Sequence, residues 1–170
     1  MIKQDIFENR VKSIYLGIGS NLGNKKNNIE KAKFSLIKKG IKILSSSSYY
    51  ESLSWPDPKN PKFLNIVILV SSNLKPKQLL KKCKGIEKEL GRVKSDKNSP
   101  RQCDIDIIDY NNAQINDKII LPHPRMHVRN FVLLPLFEIC KNWRHPTSKL
   151  YLKRLILSLP NKDITSIKKI

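Results

Sequence analysis

Six regular segments follow one another along this chain, and their order limits the fold more than any other feature. Ser13 to Ile18 is a short apolar run of strand length, ending at Gly19-Ser20-Asn21-Leu22-Gly23-Asn24. A helical pattern follows, in which Ile29, Ala32, Phe34, Leu36 and Ile37 give an apolar stripe and Gly40 suits the position that ends it. Ile41 to Tyr50 is a second strand, followed by a Ser-, Pro- and Asn-rich loop from Ser52 to Pro61. Phe63 to Val70 is apolar enough for a central strand. Pro76 suits a helix start, Leu79, Leu80, Cys83, Ile86 and Leu90 recur at helical spacing, and Gly91 closes the helix. Cys103 to Tyr110 is the fourth strand. The order strand, helix, strand, strand, helix, strand specifies an α+β fold: a ferredoxin-like split βαβ sandwich, with helices packed on one face of an antiparallel sheet.

The rest of the chain decorates this frame. Asn111-Asn112 suits a turn into a short strand near Ile115 to Ile120, a small extra hairpin. Phe131 to Ile139 is a short apolar helix, expected to settle only after Pro135. The 170 residues suit one domain, with 1–11 and about 146–170 expected to be peripheral. No apolar run approaches the roughly 20 residues that span a bilayer, and Lys3, Asp5, Glu8 and Arg10 interrupt any signal-peptide segment, so the expected location is cytoplasmic. Cys83, Cys103 and Cys140 form no CxxC pair and are expected to be free thiols.

The net charge of +19 invites a nucleic-acid reading. The charge is carried by 26 Lys and 7 Arg, a profile that fits Lys spread over a solvated surface better than a specific patch. Against that background the arginines stand out. Four of the seven, Arg92, Arg101, Arg125 and Arg129, fall within one stretch. Arg grips phosphate oxygens with a bidentate fork that Lys cannot copy.

Between Arg101 and Arg125 lies the sharpest chemical feature, Asp104-Ile105-Asp106. Alternation along a strand sends Cys103, Ile105 and Ile107 to the core and leaves both carboxylates together on the open face. Two such carboxylates repel each other, and a hard divalent cation is the usual remedy. Mg²⁺ held by one or two carboxylates plus substrate phosphates fits the pair. The basic loop from Arg92 to Arg101, with Ser95, Asn98 and Ser99, has the composition of a lid. His123, fixed between Pro122 and Pro124, can donate to a phosphate oxygen. Phe63 and Phe131 are candidate platforms for a flat heterocycle whose edge Asn65 could read. The Gly17-x-Gly19-Ser-Asn-x-Gly23 run lacks the Lys-Ser/Thr of a P-loop and is read as a tight turn that lets other loops approach.

Five stretches in order, Tyr15–Gly23, Phe63–Val67, Ile86–Arg92, Pro100–Ile108 and Leu121–Leu133, resemble the 6-hydroxymethyl-7,8-dihydropterin pyrophosphokinase family of folate synthesis. The resemblance implies a cytoplasmic transferase that acts on ATP and a reduced pterin as a monomer, with no nucleic-acid or membrane partner. It implies that Asp104 and Asp106 hold two Mg²⁺, and that Arg92 and Arg101 act with them in catalysis. Glu87, Arg92, Arg101, His123 and Arg129 would contact ATP. Ser52, Leu53, Trp55, Phe63, Asn65 and Phe131 would hold the pterin. The chain departs from the family at Ser99, where Gly is usual, and in having no aromatic residue in the lid loop. The competing class is a basic ferredoxin-like RNA-binding module without catalysis, but the aromatic strand motif of RNA-recognition domains is missing.

Overall fold

The structure is a computed structural model that describes residues 12–93 and 99–170. The lead-in 1–11 and the centre of the expected lid, 94–98, lie outside the described residues.

Strand β1 (Ile14–Ser20) is the spine of the sheet, pairing antiparallel with β4 (Phe63–Ser71) on one side and β5 (Asp104–Tyr110) on the other. The far edge of β4 carries β2 (Lys42–Ser46) and β3 (Tyr50–Ser52) one after the other, both antiparallel. The resulting order, β5-β1-β4 and then β2 with β3, is that of the ferredoxin-like sandwich expected from the sequence.

The expected single strand from Ile41 to Tyr50 is two strands, for a local reason. Leu44 bulges out of the pairing with β4. Beyond it, Ser47 takes over the ladder, its N–H donating to the Val67 carbonyl at 2.9 Å and its hydroxyl accepting from the Val67 N–H at 3.0 Å. Serine side chains thus replace backbone pairing where the strand breaks.

Ile14, Leu16 and Ile18 point to one face of the sheet, where α1 (Lys25–Lys38) and α2 (Pro76–Glu89) cover them. Asn24 caps α1 by accepting from the Asn27 N–H at 3.0 Å, and Gly40, at φ +81°, ends it. Only part of the expected stripe is core: Ile29, Ala32 and Leu36 are buried, whereas Phe34 and Ile37 are exposed. In α2 the buried face is Leu79, Cys83 and Ile86. Burial pushes the Cys83 and Cys103 thiols up to about 12, and all three cysteines are free.

The opposite face is not bare, contrary to the expectation of helices on one face only. Tyr15, Val67 and Ile108 pack there against α3 (Asn130–Ile139), which a 3-10 turn at Met126–Val128 precedes, and against α4 (Leu152–Leu157). Helix α3 starts five residues before Pro135, so the proline does not delay it. An interior proline costs about 3 kcal/mol. Burial of Val132, Leu133 and Leu136, at roughly 1.5–3 kcal/mol each, outweighs that cost.

Asn111 and Asn112 both adopt positive φ, 51° and 58°, and turn the chain out of β5. The expected strand from Ile115 to Ile120 is a hairpin of two short strands, β6 (Ile115–Asn116) and β7 (Ile120–Leu121). The C-terminal stretch, expected to be peripheral, is woven in. Leu152, Leu155 and Leu159 are buried in the second core. After α5 (Asn161–Thr165), β8 (Lys168–Lys169) pairs with β3. No helix among the described residues is long and apolar enough to cross a membrane.

Because Leu152 is fully buried against α3, Leu152→Ala should lower stability by about 2–5 kcal/mol, read as a lower urea midpoint. An unchanged midpoint would return the segment after residue 145 to the periphery.

Candidate active site

The site is built on the second face of the sheet, and its floor is two glycines. Across the strands, Asp104, Gly19 and Asn65 form one row, and Asp106, Gly17 and Val67 form the next. A Cβ added at Gly19 would lie 2.9 Å from Asn65 Oδ1 and 3.4 Å from the Phe63 ring. At Gly17 it would meet Ile108 at 3.3 Å. The glycines therefore leave an open trough between the carboxylates of β5 and the polar and aromatic side chains of β4. This corrects the reading of residues 17–23 as one tight turn: Gly17 and Gly19 sit inside β1, and of the three glycines only Gly23, at φ +65°, serves a turn. The cleft, with an empty volume of about 640 Å³ including its mouth, is lined by Ser52, Leu53, Trp55, Phe63, Asn65, Arg101, Asp104, Asp106, Arg129 and Phe131 together with the glycines.

At the acidic end, Asp104 is ringed by cations and Asp106 faces an imidazole and a guanidinium. Asp104 accepts from Arg92 Nη1 at 2.7 Å, and Arg101 Nη1 lies 3.3 Å and Lys84 Nζ 4.0 Å away. Burial alone would raise its pKa, but Arg101, Lys84 and Arg92 more than offset this and hold it below the usual carboxylate range. Asp106 faces His123 Nε2 at 3.7 Å and Arg129 Nη1 at 3.5 Å. His123 Nδ1 accepts from the Arg125 N–H at 3.2 Å, which leaves Nε2 to carry the proton of the neutral ring. Burial lowers the His123 pKa, with Asp106 working against it.

Glu87, expected at the nucleotide, is elsewhere. It is 1% exposed and lies beneath the floor. It accepts from the Ile105 N–H at 2.7 Å, from Lys84 at 2.7 Å and from Arg92 at 2.5 Å. A buried carboxylate with three donors is a fixed support, and here it aims Lys84 and Arg92 at Asp104. Arg92 therefore meets the site through Asp104 and does not line the cleft itself.

At the other end the walls are aromatic. Asn65 donates from Nδ2 to the Ser52 hydroxyl at 2.9 Å, leaving its carbonyl oxygen and one N–H to face a ligand. The Arg101 guanidinium lies 5.8 Å from the Phe63 ring, and Arg129 lies 5.4 Å from Phe131 and 5.8 Å from Trp55. Arg101 Nε and Arg129 Nε are buried without a partner, the two such side-chain atoms among the described residues. Orphaned guanidinium donors beside paired carboxylates fit a polyanion carried with a divalent cation. Among the described residues no cluster of three or more His, Cys, Asp or Glu could cage a metal alone. Two carboxylates needing phosphate oxygens to complete the shell is the Mg²⁺ pattern.

Sequence reasoning missed two supports. Asn21 is buried and accepts from the Arg101 N–H at 2.8 Å, donates its own N–H to the Arg101 carbonyl at 3.1 Å and reaches the Pro61 carbonyl at 3.1 Å. It pins the end of the basic loop to the loop before β4. Lys84 was hidden because its Lys is one of many; only contact with Glu87 and Asp104 sets it apart.

The family model described as 7,8-dihydro-6-hydroxymethylpterin-pyrophosphokinase matches residues 15–141. The chain belongs to this family. A 2-amino-4-hydroxy-6-hydroxymethyldihydropteridine pyrophosphokinase of Aquifex aeolicus is 39% identical over 142 residues, covering 83% of this chain and 88% of the relative. The folic acid synthesis protein FOL1 of Dictyostelium discoideum is 45% identical over 149 residues, 87% of this chain but 22% of that protein. A similar protein of Pneumocystis carinii is 40% identical, again with only 21% of its length covered, so the chain spans about a fifth of these longer relatives. Among solved structures, wild-type HPPK-DHPS of Plasmodium falciparum superposes with a TM-score of 0.74 at 15% identity, over 97% of this chain and 45% of that one, a likeness of fold. Neither the family match nor these relatives supports the RNA-binding alternative.

Because the folded pKa of Asp104 is depressed, its stabilising contribution is complete above the ordinary Asp value of about 4 and is lost as pH falls through the lower folded value. Asp104→Asn should therefore flatten the decline in urea midpoint below about pH 4. Parallel declines in the two proteins would refute the cation ring.

Proposed function

We propose that the chain transfers the terminal diphosphate of ATP to the hydroxymethyl group of 6-hydroxymethyl-7,8-dihydropterin, releasing AMP. One observation carries this reading. A single cleft joins paired carboxylates and unsatisfied guanidinium donors at one end to aromatic rings and a half-free amide at the other. That arrangement suits a polyphosphate and a flat heterocycle held end to end.

In this reading the pterin oxygen attacks the β-phosphorus, the bond to the α,β-bridging oxygen breaks, and AMP departs. The heterocycle stacks between Phe63 and Phe131, with Ser52, Leu53 and Trp55 at its border and the Asn65 amide on its edge. Arg101, Arg129 and His123 bind phosphate oxygens through N–H donors, and Arg92, braced by Glu87, orients Asp104. Asp104 and Asp106 would hold two Mg²⁺, which draw off negative charge from the phosphate oxygens. Positioning and charge complementarity supply most of the catalysis. The whole chain acts as one pyrophosphokinase domain, a cytoplasmic monomer with no nucleic-acid or membrane partner. Incubation with ATP, Mg²⁺ and the reduced pterin should yield AMP and the pterin diphosphate; no AMP would defeat the proposal.

Asp104→Ala and Asp106→Ala should each abolish most turnover even at saturating Mg²⁺. The sequence alone allows the apo protein to gain stability from losing a repelling carboxylate. The cation ring reverses that expectation for Asp104, whose loss leaves Arg92, Arg101 and Lys84 facing one another. Near-normal turnover in both variants would remove the metal assignment.

Arg101→Lys tests geometry against charge. Net charge is unchanged, so a charge-only role predicts no effect. Loss of the bidentate fork predicts a fall in turnover of about ten-fold or more, equivalent to ~1.4 kcal/mol. ATP binding should suffer less than turnover, because the contact strengthens in the transition state. Wild-type turnover would favour charge alone.

A further inference from the structure

Arg125 belongs to the cluster of four arginines that the sequence singles out, yet the proposed reaction gives it no task. Its side chain is exposed, outside the lining of the cleft. Its guanidinium lies 5.2 Å from the centre of the Trp55 ring. Trp55 does line the cleft. It stands in the stretch between β3 and β4, which contributes no strand to the sheet, and half of its surface is exposed. The backbone therefore gives this wall residue little support, and its ring must be held from outside.

A second guanidinium, Arg129, lies 5.8 Å from the same ring. The two arginines flank the 3-10 turn Met126–Val128, so one loop grips Trp55 at two points. They differ in their other surroundings. Arg129 also faces Asp106 at 3.5 Å and carries a buried Nε without a partner, so it is built to receive an anion. A phosphate bound there draws on the guanidinium and screens its charge, which weakens the attraction to the ring. Arg125, set back from the carboxylates, keeps its charge when the cleft fills.

We infer that Arg125 is a positioning residue: it holds Trp55 as the outer wall of the heterocycle site, and does so when phosphate has claimed Arg129. The inference rests on the pterin reading of the cleft and deepens it. Arg125 acts through the tryptophan and does not touch the reacting atoms. The role also accounts for an arginine here in a lysine-rich chain, because the flat guanidinium stacks on an indole as an ammonium does not.

The test uses the full chain labelled with 5-fluorotryptophan. The protein has two tryptophans, Trp55 and Trp143, so the fluorine spectrum carries one signal from each, assigned with Trp55→Phe. In Arg125→Ala the Trp55 signal should move and the buried Trp143 signal should not. In steady-state assays the same variant should raise the KM for the reduced pterin about two- to five-fold, the factor that one exposed cation–π contact represents. The KM for ATP and kcat should stay near wild type, and Arg125→Lys should recover part of the loss. In a Trp55→Ala background, Arg125→Ala should have no further effect on the pterin KM. A Trp55 signal that does not move, or a KM change confined to ATP, overturns the inference. Additive losses in the double variant also overturn it. Absence of AMP formation by the wild type would overturn the pterin reading instead, and the fluorine spectra would still decide whether Arg125 holds Trp55.

Discussion

The structure depends on placing two carboxylates side by side on β5. Asp104 and Asp106 share one face of a strand whose other face, Ile105 and Ile107, is core. Their like charges repel, and burial of Asp104 would disfavour its charge. The protein answers with hydrogen-bond donors, most of them cations, fixed in advance. Glu87, buried under the strand, accepts the Ile105 N–H and so is locked to β5 itself. From that fixed point it orients Lys84 and Arg92 toward Asp104. On the other side, His123 and Arg129 face Asp106 from the loop that follows β7. A ligand carrying both metal and phosphate charge can exchange with these pairs without leaving any group unpaired, which is what preorganisation requires.

This need explains why the sheet is covered on both faces. A ferredoxin-like sandwich needs helices on one face only, and α1 and α2 supply them. The second face must hold a site at one end, so the remainder has to be sealed by something that also delivers site residues. Helix α3 does both. Val132, Leu133 and Leu136 seal, while Phe131 at its first turn and Arg129 just before it enter the cleft. The C-terminal stretch then secures α3. Asn130 donates to the Asp163 carbonyl at 2.5 Å, and Glu138 accepts from Ser48, from Tyr50 at 2.8 Å and from Lys169 at 3.2 Å. Residues after 145 thus reach the cleft indirectly, through the helix that they hold.

The parts legible in the sequence were those where local chemistry and final environment agree. Alternation in Cys103–Ile107 places the carboxylates on the open face, and the helical spacing of Leu79, Cys83 and Ile86 marks the buried side of α2. The prolines around His123 and the arginine bias also point to groups that the fold brings to one cleft or its rim. What stayed hidden depends on contacts distant in sequence. Nothing near Glu87 announces that it lies under a strand 18 residues away, and nothing near Leu152 announces a second core. The glycines were misread because a Gly-x-Gly run signals a turn, whereas here the missing side chains make room on a strand. Pro135 misled in the same way, since its local cost is outweighed by burial that only the tertiary fold supplies.

Asn21 gives the clearest case of a site organised from outside the reacting groups. Its backbone and side chain clamp Arg101 at two points and reach Pro61 with a third bond. Arg101 begins the approach to β5, and Pro61 the approach to β4, so one buried amide fixes the spacing between the acidic and the aromatic ends of the cleft. That spacing matters for the proposed reaction, because in-line transfer tolerates little error in the distance between attacking oxygen and phosphorus. A lysine ammonium could supply charge at position 101, but it would swing on a flexible stem. A guanidinium whose backbone is held by Asn21 and whose face rests over Phe63 has little freedom left. The arginine bias of this stretch and the clamp at Asn21 are therefore two expressions of one requirement: charge fixed in direction as well as in place.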